Sequence, residues 1–356
     1  MQIKFISLRH SLNGVRPSPL RGRSTCMQKR MTQSEPNLTS PEVPLVVDLD
    51  GTLSRTDTLH EALLAILSSR PLDALALIGK LSEGRPAVKQ FVADRQIMGA
   101  DELPLNEAVL KAVQEAVASG REVHLVSAAD HRQTTKISEE TGLFSSAVGT
   151  GGPETAGMNL KAENKARYLI DRFGEGGFDY IGDAPADIPV WKAARQAITV
   201  DAAPALRRAA EAANARTMHI SEPSDTAHRA RQVLKAMRVR QWVKNLLVFL
   251  PLAAAHEYSA IGHAIIAFLA FSLTASSVYL VNDLLDLRAD RAHPRKRKRP
   301  FARGDVPLAT GVLIAIALLA AAFAVSLALP ASFLAVLACY FVATTAYSIG
   351  TAVIAW

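Results

Sequence analysis

Cysteine is almost absent from this chain. Two occur in 356 residues, Cys26 in a basic N-terminal tail and Cys339 in an apolar run. That excludes a disulfide framework and a cysteine-built metal site, and it fits a reducing compartment for the soluble part. Acidic residues are missing from residues 1–31, which carry seven Lys/Arg. The same stretch lacks the apolar core of about 7–15 residues that a secretory signal needs. Its Arg-rich, acid-poor composition leaves a transit peptide or, the preferred reading, a start at Met27 or Met31. The polar, Pro-containing residues up to 43 lack the apolar content to pack a core and read as a disordered tail. Charge is absent from residues 308–329 and 332–356.

A uniform charge is lacking too. The overall +7 hides two opposed parts. Residues 32–227 carry 19 basic and 28 acidic residues, and residues 228–356 carry 14 basic and 5 acidic. An acidic soluble half joined to a basic, apolar half is not the pattern of a nucleic-acid-binding protein.

In the acidic half, Pro44-Leu45-Val46-Val47 reads as a buried strand running into Asp48-Leu49-Asp50-Gly51-Thr52. Acids and a glycine directly after a buried strand lie where open α/β sheets place their sites. Alone, such a stretch is also a plain turn or a piece of a calcium loop. Further along, Val123-His124-Leu125-Val126 is a second strand ending in Ser127, and Lys165 begins a helical stretch after Asn164. Phe178-Asp179-Tyr180-Ile181 is a third strand, followed by Gly182-Asp183 with Asp187 four residues on. Ser127 reads equally well as a helix cap, and Lys161 competes with Lys165.

This ordered set resembles the haloacid dehalogenase-like phosphohydrolases over residues 44–200. The resemblance implies a Rossmann-like α/β domain with a small helical cap, here about 53–103, where leucines recur at helical spacing. It implies Asp48 as nucleophile, Asp50 as acid and base, and Ser127 and Lys165 as phosphoryl-holding groups. Asp48, Asp50, Asp183 and Asp187 would form a Mg²⁺ site, and a phosphorylated small molecule would be the substrate. The domain is expected over 44–205, with a linker and an amphipathic basic lead-in over 206–241.

The basic half turns on Asn282-Asp283-Leu284-Leu285-Asp286-Leu287-Arg288-Ala289-Asp290, followed by His293-Pro294 and the basic run Arg295 to Arg299. On one helix, Asp283, Asp286 and Asp290 share a face. Three carboxylates at a membrane boundary call for a cation, and oxygen ligands at this density suit Mg²⁺. The stretch resembles the first aspartate motif of the UbiA-type intramembrane prenyltransferases. Together with Arg240-Gln241-Trp242-Val243-Lys244-Asn245 it is similar to the polyprenyl-phosphate phosphoribosyltransferase branch. The resemblance implies a helical transmembrane domain from residue 242 and a polyprenyl phosphate or diphosphate lipid as partner. It implies Asp283, Asp286 and Asp290 as metal ligands, and Asn282, Lys296, Arg299 and Lys244 as phosphate contacts. Lys244 reads as readily as an ordinary cytoplasmic-side lysine. The second aspartate motif of that family does not occur before Trp356, so the chain reads as truncated and the transferase half as incomplete. Two alternatives stand beside this reading: a prenyltransferase acting on an aromatic acceptor, and a phosphatase held by a non-catalytic membrane anchor.

Apolar runs at 262–282, 308–329 and 332–356 are each long enough to cross a bilayer. The basic segments 229–244 and 288–303 both belong on the cytoplasmic side. An even number of crossings must separate them, so 243–258 is expected to cross or to dip and return. The expectation is about four helices in an inner-membrane protein with its soluble half in the cytoplasm.

Overall fold

The computed structural model describes residues 42–155, 157–221 and 226–354. The expected N-terminal tail and Cys26 fall at positions up to 41 and lie outside them, apart from the last two tail residues.

The first half is a six-stranded parallel sheet. Its first strand, β1 (Leu45–Val47), is fully buried, as an all-apolar run in a sheet covered on both faces must be. A helical cap follows it: α1 (Thr58–Ser69), α2 (Pro71–Leu81) and α3 (Arg85–Ala93). Asp57 caps α1 by accepting from the Leu59 and His60 amides. The core resumes with α4 (Glu107–Ala118), β2 (Val123–Asp130), α5 (His131–Thr141) and β3 (Ser146–Thr150). Then come α6 (Glu163–Phe173), β4 (Asp179–Gly182), α7 (Ile188–Ala193) and β5 (Gln196–Thr199). α8 (Pro204–Ala213) and β6 (Thr217–His219) complete it.

The strand order is β3-β2-β1-β4-β5-β6, all neighbours parallel. This is the doubly wound Rossmann-type order, with its switch point between β1 and β4. Asp48 follows β1 and Asp183 follows β4, so the crevice outside the switch point receives both. At the opposite end of β4, Asp179 is fully buried between Arg121 (2.5 Å) and Arg195 (2.6 Å).

Two expectations are corrected. The domain does not end at 205: α8 and β6 belong to the sheet, and β6 pairs with β5. Thr217-Met218-His219 is too short and too polar to stand out from its Ala/Arg-rich surroundings. β2 runs on through Ser127 to Asp130, so Ser127 is not the strand's last residue.

After α9 (Thr226–Ala236), a 3₁₀ stretch (Val239–Phe249) and the short α10 (Leu250–Ala255) lead to α11 (Ile261–Leu285). α12 (Leu287–Ala292), α13 (Leu308–Ser326) and α14 (Ala331–Ile354) follow. Among the described residues, Tyr258–Leu285 and Leu308–Ser326 are long and apolar enough to cross a membrane.

The 243–258 stretch is not one continuous α-helix. Pro251 stands in the first turn of α10, and His256 adopts a left-handed conformation at its end. The stretch nonetheless runs antiparallel along α11. Trp242 Nε1 donates to Ser276 Oγ (2.9 Å), Asn245 Nδ2 donates to Ser272 Oγ (3.0 Å), and Phe249 meets Phe268. Ser276 Oγ also donates to the Met237 carbonyl (2.8 Å). Side-chain bonds of this kind let non-α backbone lie against an apolar helix.

Candidate active sites

Asp48 leaves β1 with its carboxylate held on two sides. Oδ1 accepts from the Leu49 amide at 2.8 Å, and Oδ2 accepts from Lys165 Nζ at 2.7 Å. Lys165 lies in the first turn of α6 and is buried, whereas its rival Lys161 is exposed. The lysine also donates to Tyr180 Oη (2.8 Å) and stands 3.6 Å from Asp187 Oδ1. Tyr180 Oη donates in turn to Asp187 Oδ1 (2.8 Å). Asp187 Oδ2 accepts from the Asp183 and Ala184 amides at 3.2 and 3.1 Å. Asp183 Oδ1 accepts from Thr52 Oγ1 at 2.9 Å.

Gly51 is required here on two grounds. Its φ is +79°, and a side chain at this position would collide with the Asp183 carboxylate.

Asp48, Asp183 and Asp187 bring carboxylate oxygens within 4.8 Å of one another. Two of the three residues are buried, and one lysine cannot neutralise them all. Burial, with Asp48 and Asp187 adding repulsion, pushes the Asp183 carboxyl up to about 7. Asp187 is raised as well, by burial first. Burial opposes the charge on Lys165, but the Asp48 and Asp187 carboxylates outweigh it and hold the amine above its usual value. A hard divalent cation with oxygen ligands fits such a cluster.

Asp50 is not part of it. The Asp50 carboxylate instead accepts from the Thr58 amide at 2.7 Å. Burial, then the nearby Asp57 and Asp48 charges, push Asp50 up to about 7. The Asp50 carboxylate thus stands outside the three-residue cluster, and a carboxyl that keeps its proton near neutrality is available as an acid. Ser127 is buried and its Oγ accepts from the Ala129 amide (3.2 Å); it bonds to no other site residue among the described residues. The helix cap that Ser127 was weighed against is supplied by Asp130, which accepts from the Arg132 amide.

In the membrane half the single aspartate helix is interrupted. α11 ends at Leu285, Asp286 is the junction, and α12 carries Asp290. Asp283 and Asp290 still converge, on a cation of the chain itself. Arg299 Nη1 donates to Asp283 Oδ1 (3.1 Å) and to Asp290 Oδ2 (2.8 Å). Arg238 adds a 2.5 Å bond to Asp283 Oδ1, and Lys296 lies 4.0 Å from Asp290. The three carboxylates do not reach the mutual spacing of the first cluster among the described residues. Asn282 is half-buried and its carbonyl accepts from the Asp286 amide. Lys244 is exposed on the 3₁₀ stretch, and no bond joins it to this loop among the described residues.

Sequence reasoning missed Tyr180, Thr52 and Arg238. Tyr180 carried a signal, since it sits inside an expected strand two positions before Gly182. Arg238 did not: it looks like any basic residue before a membrane segment.

Residues 246–356 match the UbiA prenyltransferase family. The uncharacterized protein y4nM of Sinorhizobium fredii is 36% identical over 310 residues, 86% of this chain and 59% of its own length. Those 310 residues exceed either half alone, so the resemblance runs across both. A decaprenyl-phosphate phosphoribosyltransferase of Mycolicibacterium smegmatis is 43% identical over 125 residues, 33% of this chain and 39% of its own length. The chain thus spans under two thirds of either relative. Among solved structures, a phospho-aspartyl intermediate analogue of phosphoserine phosphatase overlays with a TM-score of 0.35 and 19% identity. That overlay covers 55% of this chain and 98% of the other.

Proposed function

We propose that this chain, which carries a UbiA-type domain at its C-terminal end, joins a phosphomonoester hydrolase to part of a polyprenyl-phosphate phosphoribosyltransferase-like transferase. The observation that carries the hydrolase reading is the buried Lys165–Asp48 contact beside Asp183 and Asp187.

Asp48, its carboxylate oriented by the Leu49 amide and Lys165, attacks a phosphoryl group. Its oxygen forms a bond to phosphorus while the ester P–O bond breaks, giving an aspartyl-phosphate. Asp50, holding a proton near neutrality, delivers it to the leaving oxygen; as a carboxylate it then takes a proton from the water that hydrolyses the intermediate. Lys165 offsets charge on Asp48 and the phosphoryl oxygens. Asp48, Asp183 and Asp187 would hold Mg²⁺, which would polarise the phosphoryl group.

In the membrane half, Arg299, Arg238 and Lys296 form a basic rim around Asp283 and Asp290 suited to phosphate oxygens. The similarity to a decaprenyl-phosphate phosphoribosyltransferase supports a polyprenyl phosphate as its lipid. To hold Mg²⁺, Asp283, Asp286 and Asp290 would have to stand closer together than they do here, and Arg299 would have to give up its bonds to Asp283 and Asp290. Such a transferase makes a lipid-linked sugar phosphate, and a hydrolase tethered beside it meets that ester at raised effective concentration. Basic segments on both sides of the first crossing pair support a cytoplasmic soluble half and an inner-membrane location.

The full chain in detergent, given p-nitrophenyl phosphate, tests the hydrolase. Turnover with Mg²⁺, lost in EDTA and in Asp48→Asn, is expected. A folded protein without turnover on phosphate esters refutes it.

A further inference from the structure

Glu61 lies in the first turn of cap helix α1 and is 1% exposed. A carboxylate so deep is costly unless paired. Its ion-pair partner is Arg291, 230 positions later, on α12 beside Asp290. Nη2 of Arg291 donates to Oε1 at 2.6 Å and Nη1 to Oε2 at 3.0 Å, a two-pronged pair. The rest of the guanidinium is used too: Nη1 donates to the Glu102 carbonyl (2.5 Å) and Nε to the Ala302 carbonyl (2.9 Å).

The surroundings are largely apolar. Leu64 of α1 packs with Leu284, Leu287 and Phe301. Gly304 brings the loop backbone so close that a Cβ there would stand 2.8 Å from Arg55 Cβ. Arg288 pairs with Glu102, and Arg55 lies 3.9 Å from Asp305.

Glu61 also belongs to a stitched segment that reaches the hydrolytic site. Thr56 Oγ1 donates to Glu61 Oε1 (2.7 Å), and Ser54 Oγ donates to the Thr56 carbonyl (2.9 Å). At the start of α1, the Thr58 amide donates to Asp50 (2.7 Å). The first turn of α1 thus holds Asp50 through the Thr58 amide and Arg291 through Glu61, three residues on.

We propose that Arg291 is a positioning residue of the hydrolytic site: the aspartate loop of the membrane half clamps Glu61, and through it the segment that fixes Asp50. The claim rests on the hydrolase reading above. It makes the soluble half incomplete without the membrane half, and it joins the two sites mechanically, since Arg291 neighbours Asp290. The direct contact is with Glu61, so Arg291 acts on the reaction through geometry alone.

The test uses the full chain in nanodiscs with p-nitrophenyl phosphate and Mg²⁺. Arg291→Ala is expected to lower kcat about tenfold or more with KM within about twofold, the signature of a misplaced catalytic group. Arg291→Lys is expected to regain part of kcat. The double variant Glu61→Gln/Arg291→Ala removes the uncompensated buried charge, so thermal stability returns while kcat stays low. If kcat returns along with stability, or never falls, the pair is only structural and the proposal is overturned. Amide hydrogen exchange of peptides covering residues 50–62 gives a readout independent of turnover. Faster exchange in Arg291→Ala is expected, and unchanged exchange removes the clamp. A wild type that is inactive on every ester would refute the hydrolase reading and the positioning role with it, while exchange still judges the clamp.

Discussion

Lys165 Nζ lies 2.7 Å from Asp48 Oδ2, joining α6 to the end of β1 across 117 positions of sequence. The contact is buried on both sides, with side-chain exposures of 3% and 12%. Replacing the lysine leaves three close carboxylates without their resident cation. Lys165→Ala is expected to cut p-nitrophenyl phosphate turnover by about 100-fold or more, the scale of losing one preorganised electrostatic group. Circular dichroism should show the fold retained. A loss under about threefold removes Lys165 from the chemistry.

Metal dependence should be visible without turnover. A cation that binds the folded state at about 100 times its Kd stabilises it by about 2.7 kcal/mol. Mg²⁺ is expected to raise Tm, and EDTA to reverse the rise. Asp183→Asn should diminish the Mg²⁺ response and raise Tm in EDTA, because it removes a charge that burial and its neighbours disfavour. An undiminished Mg²⁺ response in that variant moves the metal site elsewhere.

The site of the soluble half was legible in sequence because its residues sit at the ends of short, mainly apolar runs. Leu45–Val47 and Phe178–Ile181 are short runs of the kind a covered parallel sheet accommodates, and the acids that follow them fall at the switch point. β3, β5 and β6 gave no such signal. Ser146–Thr150 and Gln196–Thr199 each hold one large aliphatic residue among small or polar ones, and they become strands because the sheet offers them partners. The partners that separate Asp50 from Asp183, Thr58 for one and Thr52 for the other, were not legible either. Glu61 and Arg291 carry no signal, because nothing in local sequence announces a partner 230 residues away.

His124 gives the soluble half a pH response. It is 5% exposed, bonds to Ser146 Oγ through Nδ1 (2.8 Å), and is held below its usual pKa by burial and by Arg172. Below about pH 6.5 the unfolded chain binds a proton that the folded one resists, so stability falls as pH drops from there toward the folded value. Between pH 7.5 and 5.5 the urea midpoint of the wild type is expected to fall relative to that of His124→Leu, whatever the raised Asp50 and Asp183 carboxyls add to both. Parallel declines would assign the acid sensitivity to other groups.

The segment before α11 is broken, and its topology is the last prediction. Arg238 bonds to Asp283, Trp242 to Ser276, Asn245 to Ser272, and Phe249 contacts Phe268. As the first member of each pair advances, its partner on α11 recedes, so the segment descends beside the helix from its Asp283 end toward its start at Ile261. If α11 spans the bilayer, residue 260 therefore lies on the side opposite to the aspartate loop. A reporter fused after residue 260 is expected to show periplasmic alkaline phosphatase activity, while one fused after residue 304 reads cytoplasmic. Ser276→Val removes the partner of Trp242 and of the Met237 carbonyl; bonds between membrane helices average about 0.6 kcal/mol, so it should weaken the segment without inverting it. A cytoplasmic reading at residue 260 would mean that the segment returns to its own side, and the pairing of Trp242 with Ser276 could not then be a transmembrane contact.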